Sequence, residues 1–558
     1  MSPPPVAVVG PPEPLTRGLA ERLERLGFPA EDVETGGPPA EWIARLDGSP
    51  WRAVVYAPSR RGPDPEETEA VLGALASRRS EAGPAEAGPD GWEPPAPAVI
   101  VLSSTEVHEP SHHHPGLAAE ERPGLRPVAN PVARAWLELE RRATERIIGP
   151  RLTLLRPAPI PLAGAPDPWS RLLSGRLAAT LPGHDPSIQL LAPEDLARAV
   201  GRVLELGEDA PGGILHVVPA GLVPLRRALR LAGVRRVAVP GALRSAARRA
   251  YLRYSWSASG AAASRELGFS AHRTSAEAVL ALRGETRAEE RPEPEAPPRF
   301  DDFGLDPAYV AAYSRTLVRF LHDAWWRVEA EGTERLPRQG GAVLVGIHRG
   351  FMPWDGVMAL EMVRRATGRT PRFLLHPSLL KMPFLFNYMT KLGGVPACRE
   401  NADRMLGAGE LLGVFPEGIR GAFTLYRRAY RLGEMGRDEY VRMALRNRAP
   451  IVPFVTVGSA EIFPVLAHVE WPWWQRFTEW PCFPVAPPFP LLPVPLPSKW
   501  HTRVLEPFHV EALHGPEAAD DPEVVAALGA EVRRRLTEAL EGLLARRRHR
   551  FWGSLSPS

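Results

Sequence analysis

Residues 341–356 read GAVLVGIHRGFMPWDG. The apolar run at 341–347 is typical of a buried strand, which ends at His348 and is followed closely by Asp355. A histidine at a strand end can act as a general base when a carboxylate fixes its tautomer and stabilises the imidazolium that forms. Most close His and Asp pairs are structural, so the interpretation depends on the neighbouring blocks.

Three further blocks of the C-terminal half join an apolar segment to a polar turn. They are LGGVPACRENA (392–402), LLGVFPEGIRG (411–421) and APIVPFVTVGSAE (449–461). Arg399 and Arg420 are predicted to lie in loops, where a guanidinium suits bidentate binding of an anion such as phosphate. Glu417, beside Gly418 in a tight turn, can hydrogen-bond a substrate hydroxyl or hold the loop.

Strands and helical patterns alternate along the chain, which predicts two α/β domains. The strand-like runs of the N-terminal half are VAVVG (6–10), AVVYA (53–57), AVIVLSS (98–104) and LTLLRPA (152–158). They predict a mainly parallel, doubly wound, Rossmann-like sheet with helices on both faces. The charged, proline-rich stretch 284–300 is predicted to be a linker between domains at 1–283 and 301–558.

Composition indicates a folded protein that does not bind nucleic acid. Of 558 residues, 44% are hydrophobic and 24% charged, and the net charge is only +3. The two cysteines are far apart in sequence, so no disulfide framework or zinc site is expected. No apolar run approaches the ~18 residues of a membrane-spanning helix, and the first residues do not predict a secretory signal. We therefore expect a cytoplasmic protein that is peripheral on the inner face of the membrane.

In their order and content, the four blocks of the C-terminal half resemble the glycerolipid and lysophospholipid acyltransferase superfamily over about residues 315–510. The monoacylglycerol acyltransferase-like branch is the most similar. The resemblance implies a C-terminal α/β acyltransferase fold. It also implies that His348, oriented by Asp355, deprotonates a glycerolipid hydroxyl such as that of lysophosphatidic acid or of a mono- or diacylglycerol. The hydroxyl would attack the thioester of acyl-CoA or acyl-carrier protein with no covalent acyl-enzyme.

The resemblance further implies that Glu417, Gly418 and Arg420 bind the acceptor or the CoA phosphates with help from Arg399, and that no metal or redox cofactor is required. Two departures from the family pattern bear on these roles. Six residues separate His348 from Asp355 where four are common, and Ile419 replaces the usual Thr after Gly418.

The N-terminal half resembles an extended short-chain dehydrogenase/reductase of the NAD-dependent epimerase branch, but its functional positions have changed. In the turn GPPEPLTRG only Gly10 remains, and Glu13 and Thr16 replace the second and third glycines that admit a pyrophosphate. Val132 and Trp136 occupy the positions of the catalytic Tyr and Lys. Ser104 matches the third catalytic residue. We therefore predict a domain without redox activity.

Two other features suit structural or membrane roles. The run 112–114 of three histidines is predicted to lie in a solvated loop, because neighbouring side chains diverge and a metal site needs convergent ligands. The aromatic, proline-rich stretch 470–497 is predicted not to be helical, and it suits either a membrane surface or an acyl tunnel.

Two helices carry apolar stripes that pack on their own domain or contact a membrane. The first stripe comprises Tyr309, Tyr313, Leu317, Phe320, Leu321 and Val328. The second comprises Val525, Leu528, Val532, Leu536, Leu540 and Leu543, followed by a basic run at 546–550. Two alternative functions remain open: a catalytically inactive lipid-binding protein, and a working NAD-dependent epimerase or reductase fused to an acyltransferase.

Overall fold

The computed structural model describes residues 4–81, 97–120, 129–147, 152–239, 250–283, 300–382, 384–436, 438–492 and 494–549. The chain divides into two compact units, Met1–Gly304 and Leu305–Ser558. The predicted linker lies outside the described residues except for residue 300, and so does the end of the predicted basic run from residue 550 onward.

The N-terminal unit contains a six-stranded, wholly parallel sheet. Its strands lie in the order Ala30–Glu34, Val6–Gly10, Ala53–Tyr56, Ala98–Leu102, Leu152–Pro157 and Gly213–Val217. Val6 and Val8 join one buried cluster, whereas Ala7 and Val9 join another. Because alternate residues of a strand point to opposite faces, the sheet is covered on both sides, and the predicted doubly wound fold is confirmed.

Helices cover both faces of this sheet. They are Pro14–Arg25, Pro193–Leu206 and Ala261–Leu267 on one face, and Pro39–Asp47, Pro65–Glu81 and Pro131–Arg146 on the other. Three further helices, Pro168–Ser174, Leu225–Leu231 and Ser275–Leu282, belong to a separate buried cluster. Of all these helices, six begin with proline, which suits the first helical position because its missing N–H has no partner within the helix. Short paired strands complete the unit at Leu117–Ala118, Leu177–Thr180, Ser187–Ile188, Val223–Pro224, Arg235–Ala238 and Ser257–Ala258.

The C-terminal unit contains a seven-stranded sheet that positions the candidate site. The strand order is Glu329–Glu331, His501–Val504, Ile451–Val457, Ala342–Gly346, Leu411–Val414, Arg372–Leu375 and Gly394–Pro396. The pairing of Ile451–Val457 with His501–Val504 is antiparallel and the remaining pairs are parallel. The central strand Ala342–Gly346 is buried at every residue and ends two residues before His348.

The helices of this unit surround the sheet. They are Pro307–Arg315, Leu317–Phe320, Trp354–Thr367, Pro377–Leu380, Leu385–Lys391, Arg399–Gly407, Gly418–Ala422, Glu439–Arg446, Pro472–Thr478, Val510–Leu513 and Pro522–Arg546. A two-stranded hairpin joins Ala467–Val469 to Phe483–Val485. The last helix buries the whole apolar stripe predicted for it.

Two sequence predictions about the helices of this unit are wrong. The helix that begins at Pro307 breaks at Thr316, where ψ is −101°, so Leu317 and Phe320 of the predicted stripe are exposed. The stretch 470–497 does include a helix, Pro472–Thr478, because its proline occupies the first helical turn, where it is tolerated. In the part of the chain that the structure describes, no helix is long and apolar enough to cross a membrane.

Candidate active site

His348 and Asp355 are in direct contact. His348 Nδ1 lies 2.9 Å from Asp355 Oδ2, and the side chains are 14% and 2% exposed. Asp355 lies in the first turn of the helix Trp354–Thr367, where a carboxylate also interacts favourably with the helix dipole. The loop between the two residues thus brings the carboxylate to the ring despite its greater length.

Asp355 holds the loop as well as the ring. Its Oδ2 also accepts a hydrogen bond from the backbone N–H of Arg349 at 2.7 Å. Since Nδ1 is occupied, Nε2 is the ring nitrogen that remains to take a proton from a substrate. The imidazole also packs against Phe415, with ring centroids 5.2 Å apart. This contact and the carboxylate together restrict rotation of the His348 ring.

A buried ion pair lies behind His348. The side chains of Arg349 and Glu417 are 1% and 3% exposed and form a two-pronged contact, of which the Nη2 to Oε1 distance is 2.8 Å. The guanidinium also donates to the carbonyl oxygens of His348 at 2.6 Å, of Arg431 at 2.7 Å and of Ala429. All five N–H donors of Arg349 are thereby used, which removes most of the cost of burying its charge.

Of the two roles that the sequence left open for Glu417, the contacts in this structure are those of a residue that holds the loop. Oε1 accepts the backbone N–H of Gly433 at 2.7 Å, and Oε2 accepts that of His348 at 3.3 Å. With Arg349 on both oxygens, its acceptor sites are taken by the protein. Sequence reasoning overlooked Arg349, because the local sequence around this arginine does not indicate which residue its side chain will bind.

The remaining predicted site residues differ in their distance from the cavity described below. Gly418 lines it, with a φ of 57° that favours glycine, and begins the helix Gly418–Ala422. Arg420 lies on the same short helix and is exposed. Arg399 begins the helix Arg399–Gly407 with a side chain that is 66% exposed, its Nε 3.5 Å from a carboxylate oxygen of Asp403. Neither arginine is among the described residues that line the cavity.

A cavity of about 340 Å³ adjoins His348, within the usual range of ligand sites. Its wall is largely apolar. It is lined by residues that include Val357 and Leu360 from the helix Trp354–Thr367, Phe373 and Leu375 from a neighbouring strand, and Met389, Leu392, Phe415, Met435, Tyr440, Met443 and Trp480. Among the described residues of the lining, Glu439 is the one Asp, Glu, Lys or Arg, and His348 and His376 are the histidines.

Gly421 permits the close approach of the helix Gly418–Ala422 to the dyad. A Cβ added there would lie 2.8 Å from the Cβ of Glu417 and 3.0 Å from the carbonyl oxygen of His348. Gly350 has a φ of +81°, and its added Cβ would lie 2.5 Å from the carbonyl oxygen of Ser459. Two glycines thus let neighbouring backbone pack against the His348 loop.

In the N-terminal unit, the side chains at two positions that the resemblance assigns to cofactor binding and catalysis, Glu13 and Trp136, contact other residues of the protein. Glu13 accepts a hydrogen bond from Ser59 Oγ at 2.8 Å. The Arg60 guanidinium lies 4.6 Å from the ring centroid of Trp136 and donates to the carbonyl oxygen of Ser103 at 2.6 Å. Burial lowers the pKa of Arg60 to about 10. A buried cation and an indole at these positions fit a nicotinamide cofactor poorly.

The remaining predicted positions of this unit have local structural contacts. Thr16 is buried and donates to the carbonyl oxygen of Pro11 at 2.8 Å. Ser104 is buried and accepts the N–H of Glu106 at 3.1 Å as the cap of a short turn. His114 is buried too, so the prediction that the three histidines lie in a solvated loop is wrong for this residue.

Comparison with known proteins supports an acyltransferase assignment. The family described as Acyltransferase matches residues 327–457, which include the dyad and the Arg349–Glu417 pair. The chain is 40% identical over 259 residues to "Uncharacterized protein Rv0502" of Mycobacterium tuberculosis, a match that covers 45% of this chain and 72% of that protein. It is 26% identical over 174 residues to the human "DGAT1/2-independent enzyme synthesizing storage lipids", covering 31% of this chain and 52% of that enzyme.

Solved structures with a similar fold include the UDP-glucose 4-epimerase from Brucella ovis in complex with NAD. That structure is 18% identical with a TM-score of 0.39, and the match covers 51% of this chain and 98% of the epimerase.

The match to the mycobacterial protein shows that the two chains belong to the same family, and the match at residues 327–457 shows that the C-terminal half carries an acyltransferase domain.

Proposed function

We propose that the C-terminal unit transfers a fatty acyl group from acyl-CoA or acyl-carrier protein to a hydroxyl of a glycerolipid. Lysophosphatidic acid and mono- or diacylglycerol are the candidate acceptors. The observation that carries the proposal is the contact of 2.9 Å between His348 Nδ1 and Asp355 Oδ2 on the wall of an apolar cavity. A base held beside a space for hydrocarbon is the arrangement that lipid esterification needs.

In the proposed reaction, His348 Nε2 takes the proton of the acceptor hydroxyl as its oxygen attacks the thioester carbonyl carbon. A C–O bond forms, the C–S bond breaks, and the imidazolium returns the proton to the leaving thiolate. Asp355 stabilises the transient imidazolium through Nδ1 without itself taking the proton. Positioning and general-base catalysis by this dyad account for the step without a covalent acyl-enzyme.

The fatty acyl chain is assigned to the apolar cavity. Leu360, Met389 and Leu392 line it together with several aromatic rings. Burial of a methylene group contributes roughly 0.8 kcal/mol, so a long chain gains binding energy there that a short chain lacks. The enzyme is therefore expected to prefer long-chain donors.

Anion binding is assigned to Arg420, with Arg399 assisting. Arg420 is exposed on the helix Gly418–Ala422, of which Gly418 and Ile419 line the cavity. The helix Arg399–Gly407 follows a strand whose Gly394 lines the cavity. Both guanidinium groups are thus carried by segments that adjoin the proposed acyl site. A phosphate of CoA or of a lysophosphatidic acid acceptor is the ligand that suits them.

For the N-terminal unit we propose a structural or docking role without hydride transfer. Support comes from Glu13, which is hydrogen-bonded to Ser59, and from Trp136, which packs under Arg60, because the resemblance assigns both positions to cofactor binding and catalysis. Thermal unfolding of the full chain with and without NAD tests this proposal. An unchanged midpoint is expected, and a rise of several degrees at saturating NAD would contradict it.

The acyl transfer is tested by following free thiol released from palmitoyl-CoA, with a panel of lysophosphatidic acid, monoacylglycerol, diacylglycerol and a long-chain alcohol. His348→Ala is expected to lower acceptor-dependent release by about 10²–10⁴-fold, the usual contribution of a general base. His509→Ala is the matched control, because this side chain is 60% exposed and lies outside the cavity lining.

Acceptor-dependent release that His348→Ala loses and His509→Ala retains would support the proposal, and the best acceptor would identify the substrate. No release by the folded wild type with any acceptor, in the presence of vesicles and with acyl-carrier protein thioester also tried, would refute it. That result would favour the alternative of a catalytically inactive lipid-binding protein.

A further inference from the structure

Exposed apolar side chains are concentrated in one stretch of the C-terminal unit. Among the described residues, sixteen large hydrophobic side chains are exposed, and nine of them belong to residues 466–494. We call these nine the apolar surface: Leu466, Val469, Trp471, Trp473, Phe477, Val485, Leu491, Leu492 and Val494. Single exposed hydrophobic residues are ordinary, but such a concentration in one segment marks an interaction site.

Aromatic packing holds this segment in a defined shape. Trp473 and Phe477 stack one helical turn apart on Pro472–Thr478, with centroids 5.7 Å apart and planes at 3°. Trp471 packs against Trp473 at 5.7 Å and against Phe483 of the hairpin at 5.8 Å. Trp473 nevertheless remains 61% exposed. The rings are therefore ordered by one another without being covered.

Residues 480–497, which include the second strand of the hairpin and the loop that follows it, can enter an apolar environment at low cost to their backbone. Eight of the eighteen residues at 480–497 are proline, which has no N–H, and none of the eighteen is charged. Two of the remaining N–H groups are satisfied within the loop, from Phe489 to Ala486 and from Leu492 to Pro488, each at 3.0 Å. Leu491 is 90% exposed. Few backbone donors would thus lose water if Leu491 and Leu492 were buried in lipid.

A row of aromatic rings links this surface to the catalytic cavity. Trp471 stacks on Trp474 at 6.4 Å, and Trp474 contacts Trp480 at 5.6 Å. Trp480 contacts Phe351 at 5.1 Å, and both of these residues line the cavity together with His348. The apolar surface is thus continuous through side-chain contacts with the wall beside the proposed base.

We propose that the apolar surface docks into the interfacial layer of a lipid bilayer. A protein partner suits the part of the surface at 480–497, which carries Leu491 and Leu492, less well, because protein interfaces form about one hydrogen bond per 100–200 Å² and have a polar rim. Residues 480–497 offer Trp480 and Cys482 as their only polar side chains, and both are buried. Lipid requires no such partners, and exposed Trp and Phe are the side chains that favour headgroup depth. Docking itself does not depend on the proposed acyl transfer. Its purpose does, because docking would give lipid access to the cavity in which that reaction takes place.

Flotation of the full chain with phosphatidylcholine vesicles tests the proposal. The triple variant Leu491→Ser/Leu492→Ser/Val494→Ser removes exposed side chains and leaves the aromatic packing intact, so the fold is expected to persist. The vesicle partition coefficient is expected to fall at least about tenfold for the triple variant, since burial of even one such side chain is worth about that factor. Leu26→Ser/Leu513→Ser is the matched control, because both leucines are exposed outside the surface, and it is expected to bind as the wild type does.

High salt is expected to leave binding intact, because the loop 480–497 carries no charge. Three results would overturn the proposal. The first is equal flotation of the triple variant and the wild type, and the second is loss of wild-type vesicle binding in high salt. The third is a dimeric wild type and a monomeric triple variant, neither of which binds vesicles. The last result would show that a second copy of the chain covers the surface.

Failure of docking and failure of acyl transfer give different results. His348→Ala is expected to bind vesicles as the wild type does, whatever its activity. The triple variant is expected to keep wild-type turnover of a short-chain acyl-CoA with a water-soluble acceptor and to lose turnover of vesicle-borne acceptor. Vesicle binding lost in the triple variant, together with no transferase activity in the wild type, would support docking and refute the proposed function alone.

Discussion

Replacement of Arg349 by methionine tests whether the buried ion pair positions His348. The substitution removes five donated hydrogen bonds and leaves the Glu417 carboxylate, 3% exposed, with hydrogen bonds from the backbone N–H groups of His348 and Gly433. Removal of one partner of a buried pair typically costs about 3–5 kcal/mol. A large part of the total stability of a domain, about 5–15 kcal/mol, is therefore expected to be lost.

The second variant, Arg349→Met/Glu417→Leu, removes both charges. Because no buried carboxylate is then left uncompensated, the double variant is expected to recover part of the about 3–5 kcal/mol that Arg349→Met loses. Arg335→Met is the matched control. Arg335 pairs at the surface with Glu506, whose side chain is 70% exposed, so this change should cost no more than about 1 kcal/mol.

Two measurements separate loss of stability from loss of position. Urea unfolding gives the free energy of each variant, and hydrogen exchange with mass spectrometry reports on the peptides that contain His348 and residues 429–433. Increased exchange is expected there in Arg349→Met, with kcat lowered more than KM is raised, because the pair lies behind the base and outside the cavity lining. Arg349→Lys restores the charge but offers fewer donors, so partial recovery is expected.

The reasoning would be refuted by an Arg349→Met protein with wild-type stability and wild-type kcat. Purely additive losses across Arg349→Met, Glu417→Leu and the double variant would likewise show that Arg349 and Glu417 are not coupled.

Three further outcomes are expected. Gly356→Leu places a side chain in the cavity, at a position where an added Cβ would meet only a ring carbon of Phe415 at 3.6 Å, so it should shift donor preference to shorter acyl chains in the thiol-release assay. Gly407→Leu is the control, because Gly407 lies outside the cavity lining, and it should leave the chain-length preference unchanged. Gly421→Ala places its methyl 2.8 Å from a neighbouring Cβ and should lower kcat by about tenfold, the effect of roughly 1.4 kcal/mol; an unchanged kcat would contradict the close packing. Burial lowers the pKa of His216 to about 3 and of His114 to about 4, so the unfolded chain binds more protons than the folded chain as pH falls from about 6.5 to 4. The free energy of unfolding of the N-terminal unit should therefore fall by up to about 1.4 kcal/mol per pH unit for each histidine, and an unfolding midpoint that calorimetry finds constant over this range would contradict the prediction.

Most central strands could be predicted from sequence, because burial on both faces makes them continuous apolar runs. Val6–Gly10 and Ala342–Gly346 are examples, and every residue of each is buried. The edge strand Ala30–Glu34 was not predicted. Its sequence AEDVE contains three acidic residues and buries two positions, so backbone pairing with one neighbour determines its conformation and hydrophobicity gives little signal.

The candidate site was predictable in its composition but less so in its contacts. His348 and Asp355 were identified from residue type and spacing, and the structure brings their side chains together. The role of Glu417 could not be decided from sequence, because its partner Arg349 lies 68 residues away and neither residue specifies the pairing. Local spacing reveals which groups are present, whereas long-range packing decides which of them remain available to a substrate.

The longer loop between His348 and Asp355 explains why such an ion pair is useful at this position. A loop with additional residues has more conformations to lose, and a dyad that must hold its geometry needs constraints in return. The structure supplies them at adjacent residues: Asp355 accepts the Arg349 N–H at 2.7 Å, the Arg349 side chain binds Glu417, and Gly350 packs against the backbone of Ser459. If these contacts fix the loop, shortening it by two residues to the common spacing should make Arg349→Met less damaging to kcat than in the full-length loop. Equal damage in both loops would show that Arg349 stabilises the unit without positioning the base.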